Sequence, residues 1–233
     1  MFKIILFLSL NITVTYLGAQ ALSANGPGAG SGMNITDHLL IAAAKKLNKP
    51  EEPEIIDGTP YMEDDFQTGK VITTKGVFDS IPMRYNVAED YVEFKKKDVT
   101  YILDPSPSVQ KVSLPASQLV VDNYTVKGKS INGYFVLLDS GKLTLLMKKK
   151  VVLHPAQPPK PIETEGKRAR YEKLKDEFFY KLNGGPITEI VSTKKMLEAL
   201  TDHKDEVKAF IEKEKISKKE QDLVKLFEYY NQL

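Results

Sequence analysis

Short apolar runs with a period of two dominate the middle of this chain, between Gly69 and Leu153. Turn residues separate successive runs at the roughly 8–12-residue spacing that is typical of short antiparallel strands. Val92 and Phe94, for example, alternate with Glu93. Because successive side chains of a strand point to opposite faces, this period predicts an antiparallel sheet with one buried face and one partly solvated face.

The runs predict a β-meander, and tight turns mark two hairpins. Strands are expected at residues 71–74, 81–87, 91–94, 99–103, 109–114, 118–121, 134–138 and 143–147. Asp139-Ser140-Gly141 joins the last two strands, and Gly141 is free to take a positive φ. Asn183-Gly184-Gly185-Pro186 predicts a later hairpin between residues 178–182 and 187–191.

The residues after 191 change to a helical period. Three apolar stripes recur there, formed by Met196, Leu197 and Leu200, by Val207, Phe210 and Ile211, and by Leu223, Val224 and Phe227. Ser217 and Glu220 form a capping box before the third stripe. Because isolated helices of this length are marginal in water, the three must pack on one another or on the sheet. A further amphipathic helix is expected from Thr36 through Leu47, before Pro50.

These segments predict an α+β fold. Residues 1–21 are a signal peptide, 22–33 a flexible tether, 34–153 the N-terminal helix and the β-meander, 154–166 a proline-rich strap, and 167–233 the hairpin and three C-terminal helices. The strap is expected to be extended and poorly paired, because proline has no backbone N–H. We expect a single domain whose antiparallel sheet can curve into a half-barrel, with the last helices as a short bundle over one face or end.

The first residues have the pattern of a secretory signal peptide. Lys3 precedes an uncharged stretch that begins with the apolar run 4–10, and Ala19-Gln20-Ala21 supplies the small residues that signal peptidase needs. We expect cleavage after Ala21 and no integral membrane span afterwards. The alternative is a retained anchor, but Asn11 dilutes the run, and a span needs roughly 18 or more predominantly apolar residues.

The composition excludes several kinds of chemistry and partner. Cysteine is absent, which excludes disulfides, thiol catalysis, cysteine-ligated metals and a lipoprotein anchor. The formal net charge is only +2, with acids and bases interspersed, so we expect no nucleic-acid partner. The basic runs are Lys95–Lys97 and Lys148–Lys150. Such lysines commonly blunt a sheet edge or solvate a turn, and the alternative is contact with anionic lipid or polysaccharide.

No set of residues matches a catalytic, cofactor or metal motif. The chain has three histidines in separate segments: His38, His154 and His203. None has a second histidine at ligand spacing, and there is no Gly-x-Ser-x-Gly elbow. The acidic clusters Glu63–Asp65 and Glu89–Asp90 are typical of solvated turns, with a catalytic pair or a calcium site as the alternatives. We therefore expect no cofactor, no metal and no enzymatic activity.

Arg84 and Tyr85 are the candidate ligand-binding residues. Arg84 lies among apolar neighbours, where an arginine either pairs with a buried acid or presents its guanidinium to an anionic ligand. In the first case we expect Arg84 to pair with an acid such as Glu93 across a hairpin, with Tyr85 and Tyr91 as ordinary cross-strand aromatic residues. In the second case these side chains line a concavity.

Five short motifs follow one another along the chain in a characteristic order. They are Gly76-Val77-Phe78, Met83-Arg84-Tyr85-Asn86, Gly133-Tyr134-Phe135, Gly141-Lys142-Leu143 and Tyr229-Tyr230-Asn231. Over residues 55–233 the chain resembles an uncharacterised group of secreted or periplasmic proteins of Bacteroidetes-type bacteria. In that group, a sheet with an Arg-Tyr-Asn step precedes a proline-rich strap, a hairpin and charged terminal helices. The resemblance implies an exported bacterial protein, and it implies no activity.

Three classes of function remain. The favoured class is a non-enzymatic envelope or secreted protein, periplasmic or extracellular, that acts as an interaction module for an unidentified envelope protein. The first alternative is a carrier of an apolar or amphiphilic ligand, because a curved sheet closed by helices can enclose a cavity. The second alternative is an enzyme of unrecognised type, which would need two acids, or His154 and an acid, together in a cleft.

Overall fold

The structure, a computed structural model, describes residues 40, 44–47, 55–159, 161 and 166–233. The predicted signal peptide and tether lie outside these residues, as do most of the predicted N-terminal helix and part of the strap. The strands are β1 (Lys45–Lys46), β2 (Gln67–Thr73), β3 (Gly76–Asn86), β4 (Tyr91–Lys96), β5 (Val99–Leu103), β6 (Val109–Leu114), β7 (Ser117–Val126), β8 (Lys129–Asp139), β9 (Leu143–Lys148), β10 (Val151–His154), β11 (Arg170–Lys173), β12 (Glu177–Leu182) and β13 (Thr188–Glu189). The helices are α1 (Thr193–Ala199), α2 (Lys204–Glu214) and α3 (Glu220–Asn231). None of these helices is long and apolar enough to cross a membrane.

Most of the strands form one antiparallel sheet of eleven strands, in the order β1-β5-β4-β3-β2-β6-β7-β8-β9-β12-β13. Strands β2 to β5 form one meander, β6 returns to the other edge of β2, and β6 to β9 form a second meander. Strand β12 pairs with β9, and β13 follows across a turn in which Asn183 and Gly184 have positive φ. The predicted α+β class and its antiparallel, mostly meandering sheet are confirmed for the described residues.

One face of the sheet packs against the helices and holds the main core. Large side chains that are fully buried there include Met83, Tyr85, Phe94, Tyr134 and Phe227. The period of two sends neighbouring side chains to the opposite face, where Phe135, Leu146 and Phe179 form a second, smaller cluster. No helix residue of the described part belongs to this second cluster.

The end of α3 is anchored to the connection between β8 and β9. Asn231 Oδ1 accepts the Leu143 N–H at 2.9 Å, and Asn231 Nδ2 donates to the Leu143 carbonyl at 2.8 Å. Gly141 does not have a positive φ. It is needed for a different reason, because a Cβ there would lie 2.5 Å from Asn231 Cγ.

Two predictions about connecting segments are wrong. The predicted N-terminal helix does not continue through Leu47, because Lys45–Lys46 form β1 and pair with β5. The strap is not poorly paired throughout, because Gln157 and Lys167 exchange two backbone hydrogen bonds beyond the β10–β11 ladder. For β1 the partner is distant in sequence, whereas Gln157 and Lys167 pair across a local turn of the chain; in both cases the pairing overrides the pattern of the segment itself.

Candidate functional site

Arg84 belongs to a polar cluster on β3 and β4. The ladder places Arg84 opposite Glu93, with Arg84 Nη2 2.8 Å from Glu93 Oε2. Arg84 Nε donates to the same carboxylate at 2.9 Å. Arg84 Nη1 donates to the Asp64 carbonyl at 2.8 Å, and Nη2 donates to the Tyr61 hydroxyl at 2.6 Å. Each guanidinium nitrogen therefore has a protein partner, and the pairing with Glu93 is the one that the first alternative for Arg84 predicts.

Two aromatic rings also contact the Arg84 guanidinium. Its Cζ lies 3.5 Å from the centroid of the Tyr61 ring and 4.4 Å from that of Phe66. The Tyr61 hydroxyl donates to Glu93 at 2.9 Å. Burial, and next the Glu93 charge, raise the pKa of this hydroxyl, so it remains a donor at neutral pH. The cluster is satisfied by its own members, and ligand binding by Arg84 stays a prediction.

Tyr85 points to the opposite face of the sheet from Arg84 and is 1% exposed. Its hydroxyl donates to Asp90 Oδ1 at 2.7 Å, and its ring meets the ring of Tyr134 edge-on at 5.7 Å. Burial, and next the Asp90 charge, raise the pKa of the Tyr85 hydroxyl well above its usual value. The structure therefore places the two predicted ligand-binding side chains in separate clusters.

Asp90 and Lys148 close a gap between β8 and β9. The ladder between these strands begins at Val136. Two residues earlier, the Tyr134 N–H donates to Asp90 Oδ1 at 3.2 Å, and the Tyr134 carbonyl accepts from Lys148 Nζ at 2.9 Å. Lys148 Nζ lies 2.6 Å from Asp90 Oδ2, and a Cβ at Gly133 would lie 2.9 Å from both atoms. A side-chain ion pair thus takes the place of a neighbouring strand.

This ion pair overturns two interpretations of the sequence. Asp90 is not a solvated turn residue and Lys148 does not blunt an edge, because their side chains are only 24% and 6% exposed. Burial lowers the pKa of the Lys148 ammonium, although the Asp90 charge acts in the opposite direction. The rings of Tyr124 and Phe135 lie 5.4 and 5.2 Å from Lys148 Nζ, which adds cation–π contacts.

The other residues singled out for chemistry lie apart from these clusters. His154 Nε2 is 3.0 Å from Glu172 Oε2 on the β10–β11 sheet, where both side chains are exposed. His203 precedes α2 with a left-handed backbone, and His38 lies outside the described residues. Within the described part, no group of three or more His, Cys, Asp or Glu side chains is placed to hold a metal ion.

Strands β7 and β8 extend beyond their neighbours as a two-stranded arm, residues 121–135. The ladder between β6 and β7 ends at Val120, and the ladder between β8 and β9 starts at Val136. At the tip, Lys127 and Gly128 both have positive φ, which is the geometry of a type I′ turn. Along the arm, the two strands pair with each other and with no other described strand.

The two faces of the arm differ in polarity. Residues opposite each other in a ladder share a face, so Tyr124, Val126 and Ile131 lie on one side, with Lys129 beside them at the tip. The opposite side is polar and carries Asn123, Thr125, Ser130 and Asn132. The arm therefore presents one apolar surface beyond the limits of the regular sheet.

The apolar side of the arm forms one wall of an open cleft of about 520 Å³. Strands β12 and β13 contribute to the opposite wall, and the lining residues are Tyr124–Lys127, Lys150, Glu177, Phe179 and Ile187–Glu189. An aromatic cluster underlies it, because the Tyr124 ring meets those of Phe135 and Phe179 edge-on at 5.1 and 6.1 Å. The cleft therefore combines an aromatic base with an open top.

Charged side chains surround the cleft. Lys150 Nζ lies 2.5 Å from Glu177 Oε1, so these two charges neutralise each other. Lys127 and Lys129 at the tip of the arm, and Glu189 on the far wall, form no ion pair with another described residue. The rim thus carries two ammonium groups on one side and a carboxylate on the other that are open to a partner.

The sequence pattern predicts neither the arm nor the cleft, because the predicted strands stop at Val121 and resume at Tyr134. A usable signal is nevertheless present. Tyr124 and Val126 alternate with polar residues, and Lys127-Gly128 then supplies a glycine at the second position of a two-residue turn. The wall formed by β12 and β13 follows from the predicted hairpin, but its proximity to the arm is a property of the tertiary fold.

The chain matches no protein-family model, no curated protein and no solved structure. Membership of the group of exported bacterial proteins that the motifs around Arg84 resemble therefore stays a prediction. Function has to be inferred from the cleft and from the two polar clusters themselves.

Proposed function

We propose that this chain is an exported, non-enzymatic protein of the bacterial envelope or secreted fraction, and that it binds another protein through the cleft beside the arm. The observation that carries this proposal is the exposed apolar surface that continues the aromatic cluster. Val126 is 38% exposed and Ile131 is 41% exposed, on the same side as Tyr124. An exposed apolar patch with a polar rim marks interaction sites, and aromatic residues are enriched in them.

The charged side chains of the two polar clusters already have hydrogen-bond partners within the protein, which supports a non-enzymatic role. Every nitrogen of the Arg84 guanidinium has a partner, and Lys148 is held by Asp90 and by the Tyr134 carbonyl. A catalytic acid, base or nucleophile has to reach a substrate in a cleft. Neither Arg84 nor Lys148 belongs to the lining of the cleft beside the arm.

A carrier of an apolar or amphiphilic ligand is the alternative, and it would hold its ligand between the sheet and the helices. Large side chains at this position are fully buried, among them Tyr85, Phe94, Tyr134 and Phe227. A bound lipid is normally enclosed over most of its surface. The open cleft beside the arm suits an extended segment of polypeptide better, which favours protein binding.

We also propose that the sheet curves into a half-barrel around its main core, because the Tyr134 hydroxyl on β8 donates to the Leu103 carbonyl on β5 although five strands lie between them in the sheet. Near β7 and β12 the sheet also bends toward its second face. Two strands separate β7 from β12 in the sheet, yet Lys181 on β12 pairs with Asp122 on β7. The rings of Phe135 and Phe179 lie 5.3 Å apart although β9 runs between their strands. Neighbouring strands are about 4.8 Å apart, so these contacts support strong curvature. The curvature brings the arm to β12 and β13 and so creates the cleft.

The three helices are proposed to form a short bundle. Helix α2 contacts both α1 and α3. Phe210 of α2 stacks on Tyr229 of α3 with 4.0 Å between ring centroids, and Glu214 Oε2 lies 2.5 Å from Lys225 Nζ. These contacts support mutual packing of the helices in addition to their packing on the sheet.

Site-specific cross-linking in the native host tests protein binding. Because the chain has no cysteine, Val126→Cys gives a single attachment point for a photo-activated cross-linker on the apolar wall of the cleft. Val77→Cys is the matched control, because Val77 is an exposed apolar residue outside the cleft. We expect a discrete adduct in intact cells from Val126→Cys and none from the control. Equal adducts from both positions, or none from either, would contradict the proposal.

Two further measurements test export and the carrier alternative. The mass of the protein recovered from the envelope or medium should correspond to a chain that starts at Leu22, after cleavage of the signal peptide. Mass spectrometry of an organic extract of the native protein should yield no lipid in stoichiometric amount. Recovery of one lipid class at one molecule per chain would favour the carrier instead.

A further inference from the structure

Among the described strands of the eleven-stranded sheet, those of the arm have unpaired edges that are less protected than the two end strands. The two end strands, β1 and β13, contain two residues each, and they carry Lys45–Lys46 and Glu189. Short, charged strands are a usual way to prevent a sheet edge from pairing with another chain. In the arm, by contrast, the end of β7 has the sequence Asn123-Tyr124-Thr125-Val126, which contains no lysine and no proline. Such a segment favours contact with another chain.

We propose that the partner of the cleft is a second copy of this chain: the arm of each copy enters the cleft of the other around a two-fold axis. This inference rests on the proposed function, since it assigns a partner to the same cleft. Two-fold interfaces are self-complementary, because the same surface of each subunit supplies both halves of the contact. The arm and its adjacent cleft fulfil this condition, since one chain carries both the inserting element and the receiving groove.

The apolar groups of the two halves match. Val126 and Ile131 on the arm are incompletely buried within one chain. The cleft of about 520 Å³ has apolar residues on both walls, including Tyr124, Phe179 and Ile187. Insertion of the arm therefore buries both sets at once, and burial of apolar surface is the main driving force for association.

The charges of the two halves also match. Lys129 lies at the tip of the arm next to the type I′ turn, and Glu189 lies on the far wall of the cleft. Neither has an ion pair with another described residue. In the two-fold dimer, Lys129 of each copy meets Glu189 of the other, so two ion pairs form. An anionic membrane surface is less well matched, because Glu177 and Glu189 border the same apolar patch.

Sedimentation velocity of the mature chain tests this proposal directly. From about 1 to 100 µM we expect a concentration-dependent shift from monomer to dimer, and no larger species, because a two-fold contact closes on itself. Val126→Asp and Ile131→Asp should each raise the dissociation constant about tenfold or more, since they place a charge in the apolar contact. Val77→Asp, at an exposed valine outside the cleft, should leave the dissociation constant unchanged.

A charge exchange distinguishes the proposed dimer from any other association. Lys129→Glu and Glu189→Lys should each weaken the dimer on its own, because each places like charges opposite one another twice. An equimolar mixture of the two variants should recover association as a heterodimer, in which one ion pair forms with its native sign and the other with its sign reversed. Failure of the mixture to recover association would overturn the assignment of these two residues to one contact.

The remaining outcomes separate this inference from the proposed function. A native chain that is monomeric at the highest concentration overturns the dimer. If Val126→Cys still yields a discrete adduct in cells, and its mass corresponds to a different protein, then protein binding at the cleft stands without the dimer. A monomer that instead sediments with phosphatidylglycerol vesicles would assign the apolar surface to a membrane and would overturn both proposals.

Discussion

Arg84 and Glu93 are an ion pair in which one partner is almost completely removed from water. Their side chains are 14% and 1% exposed. The transfer of each charge from water costs several kcal/mol, and the pair roughly offsets this cost only while both partners and their hydrogen bonds are present. The pair therefore adds little net stability, but the loss of one partner should be severe.

Replacement of Arg84 by methionine tests this asymmetry. Arg84→Met keeps a long apolar side chain and leaves the Glu93 charge buried without its partner. We expect the free energy of unfolding to fall by about 3–5 kcal/mol, the usual cost of breaking a buried pair. Chemical denaturation monitored by circular dichroism measures this change in the free energy of unfolding. Lys70→Met is the control, because the Lys70–Asp79 pair is exposed and screened by solvent, so its loss should leave the free energy of unfolding almost unchanged.

Replacement of Lys148 should lower the free energy of unfolding more than replacement of Lys149, the next residue. Lys148→Met leaves Asp90 without its counter-ion and frees the Tyr134 carbonyl, so we expect a loss of about 3 kcal/mol in the free energy of unfolding. Lys149→Met removes only a half-exposed pair with Asp176 and should cost about 1 kcal/mol or less. Denaturant titrations of the two variants give the difference, and equal losses would show that the buried position of Lys148 does not matter.

A double variant separates the ion pair from the packing at the same place. Asp90→Asn in the Lys148→Met background removes the remaining charge. If the pair is what matters, the double variant should be more stable than the sum of the two single losses predicts. Strict additivity would mean that the two side chains act independently.

Local sequence patterns predict the first of these pairs and miss the second for a physical reason. Arg84 and Glu93 lie nine positions apart and face each other across one hairpin, so strand periodicity brings them together. Asp90 and Lys148 are 58 positions apart, and they meet only because the two meanders fold onto each other. No short window of sequence contains that information. An acid beside a turn is predicted to be solvated when only its neighbours in sequence are considered.

Among the elements, the strands of the two meanders are the best predicted part, because their period of two is long enough to be distinctive. The arm was missed because Asn123, Thr125, Ser130 and Asn132 give it an unusually polar face, so only one side of each strand is apolar. The β10–β11 sheet was missed because its strands are separated by the proline-rich segment. Pairing across such a distance is set by tertiary structure.

The attachment of α3 depends on one amide side chain. Asn231 makes hydrogen bonds to both backbone groups of Leu143 and donates to Asp139 Oδ2 at 2.8 Å. Asn231→Ala should lower the free energy of unfolding by about 1–3 kcal/mol, because these backbone groups lose their partner. Amide hydrogen exchange should quicken in α3 at the same time. Gln232→Ala, at the exposed neighbouring position, should change neither measurement, and a similar loss there would point to helix propensity instead.

At the scale of the whole molecule, buried tyrosine hydroxyls connect separate parts of the fold. The Tyr134 hydroxyl on β8 donates to the Leu103 carbonyl on β5 at 3.1 Å, and the Tyr85 hydroxyl on β3 donates to Asp90. Tyr230 of α3 donates to Asp202 in the segment between α1 and α2. The bonds of Tyr134 and Tyr230 join elements that are not neighbours along the chain. Tyr85 contacts the second meander through Asp90, which also accepts the Tyr134 N–H and pairs with Lys148. Ionisation of these tyrosines therefore reports on tertiary contacts between distant elements.

The alkaline limit of stability should follow from these tyrosines. Burial first, and nearby carboxylates next, raise the pKa of Tyr85 and Tyr134 well above the usual value of 10.0, and burial followed by the Asp202 contact raises that of Tyr230. Because the folded chain keeps these protons above pH 10 while the unfolded chain releases them, stability is complete below pH 10.0 and falls as the pH rises further. Lys148, whose pKa is lowered by burial, acts in the opposite direction but is a single group.

Denaturant unfolding between pH 9 and 11 measures this slope. Each tyrosine that stays protonated only in the folded chain contributes up to about 1.4 kcal/mol per pH unit above its unfolded pKa. Tyr134→Phe should therefore be less stable at pH 9, because it loses a buried hydrogen bond, yet should lose less stability between pH 10 and 11 than the parent chain. A parallel absorbance titration should show tyrosinate forming later in the folded chain than in denaturant. If the free energy of unfolding instead stays level to pH 11, these hydroxyls ionise at the same pH in the folded and the unfolded chain. The tertiary contacts between β3, β5, β8 and α3 would then be looser than their hydrogen bonds imply.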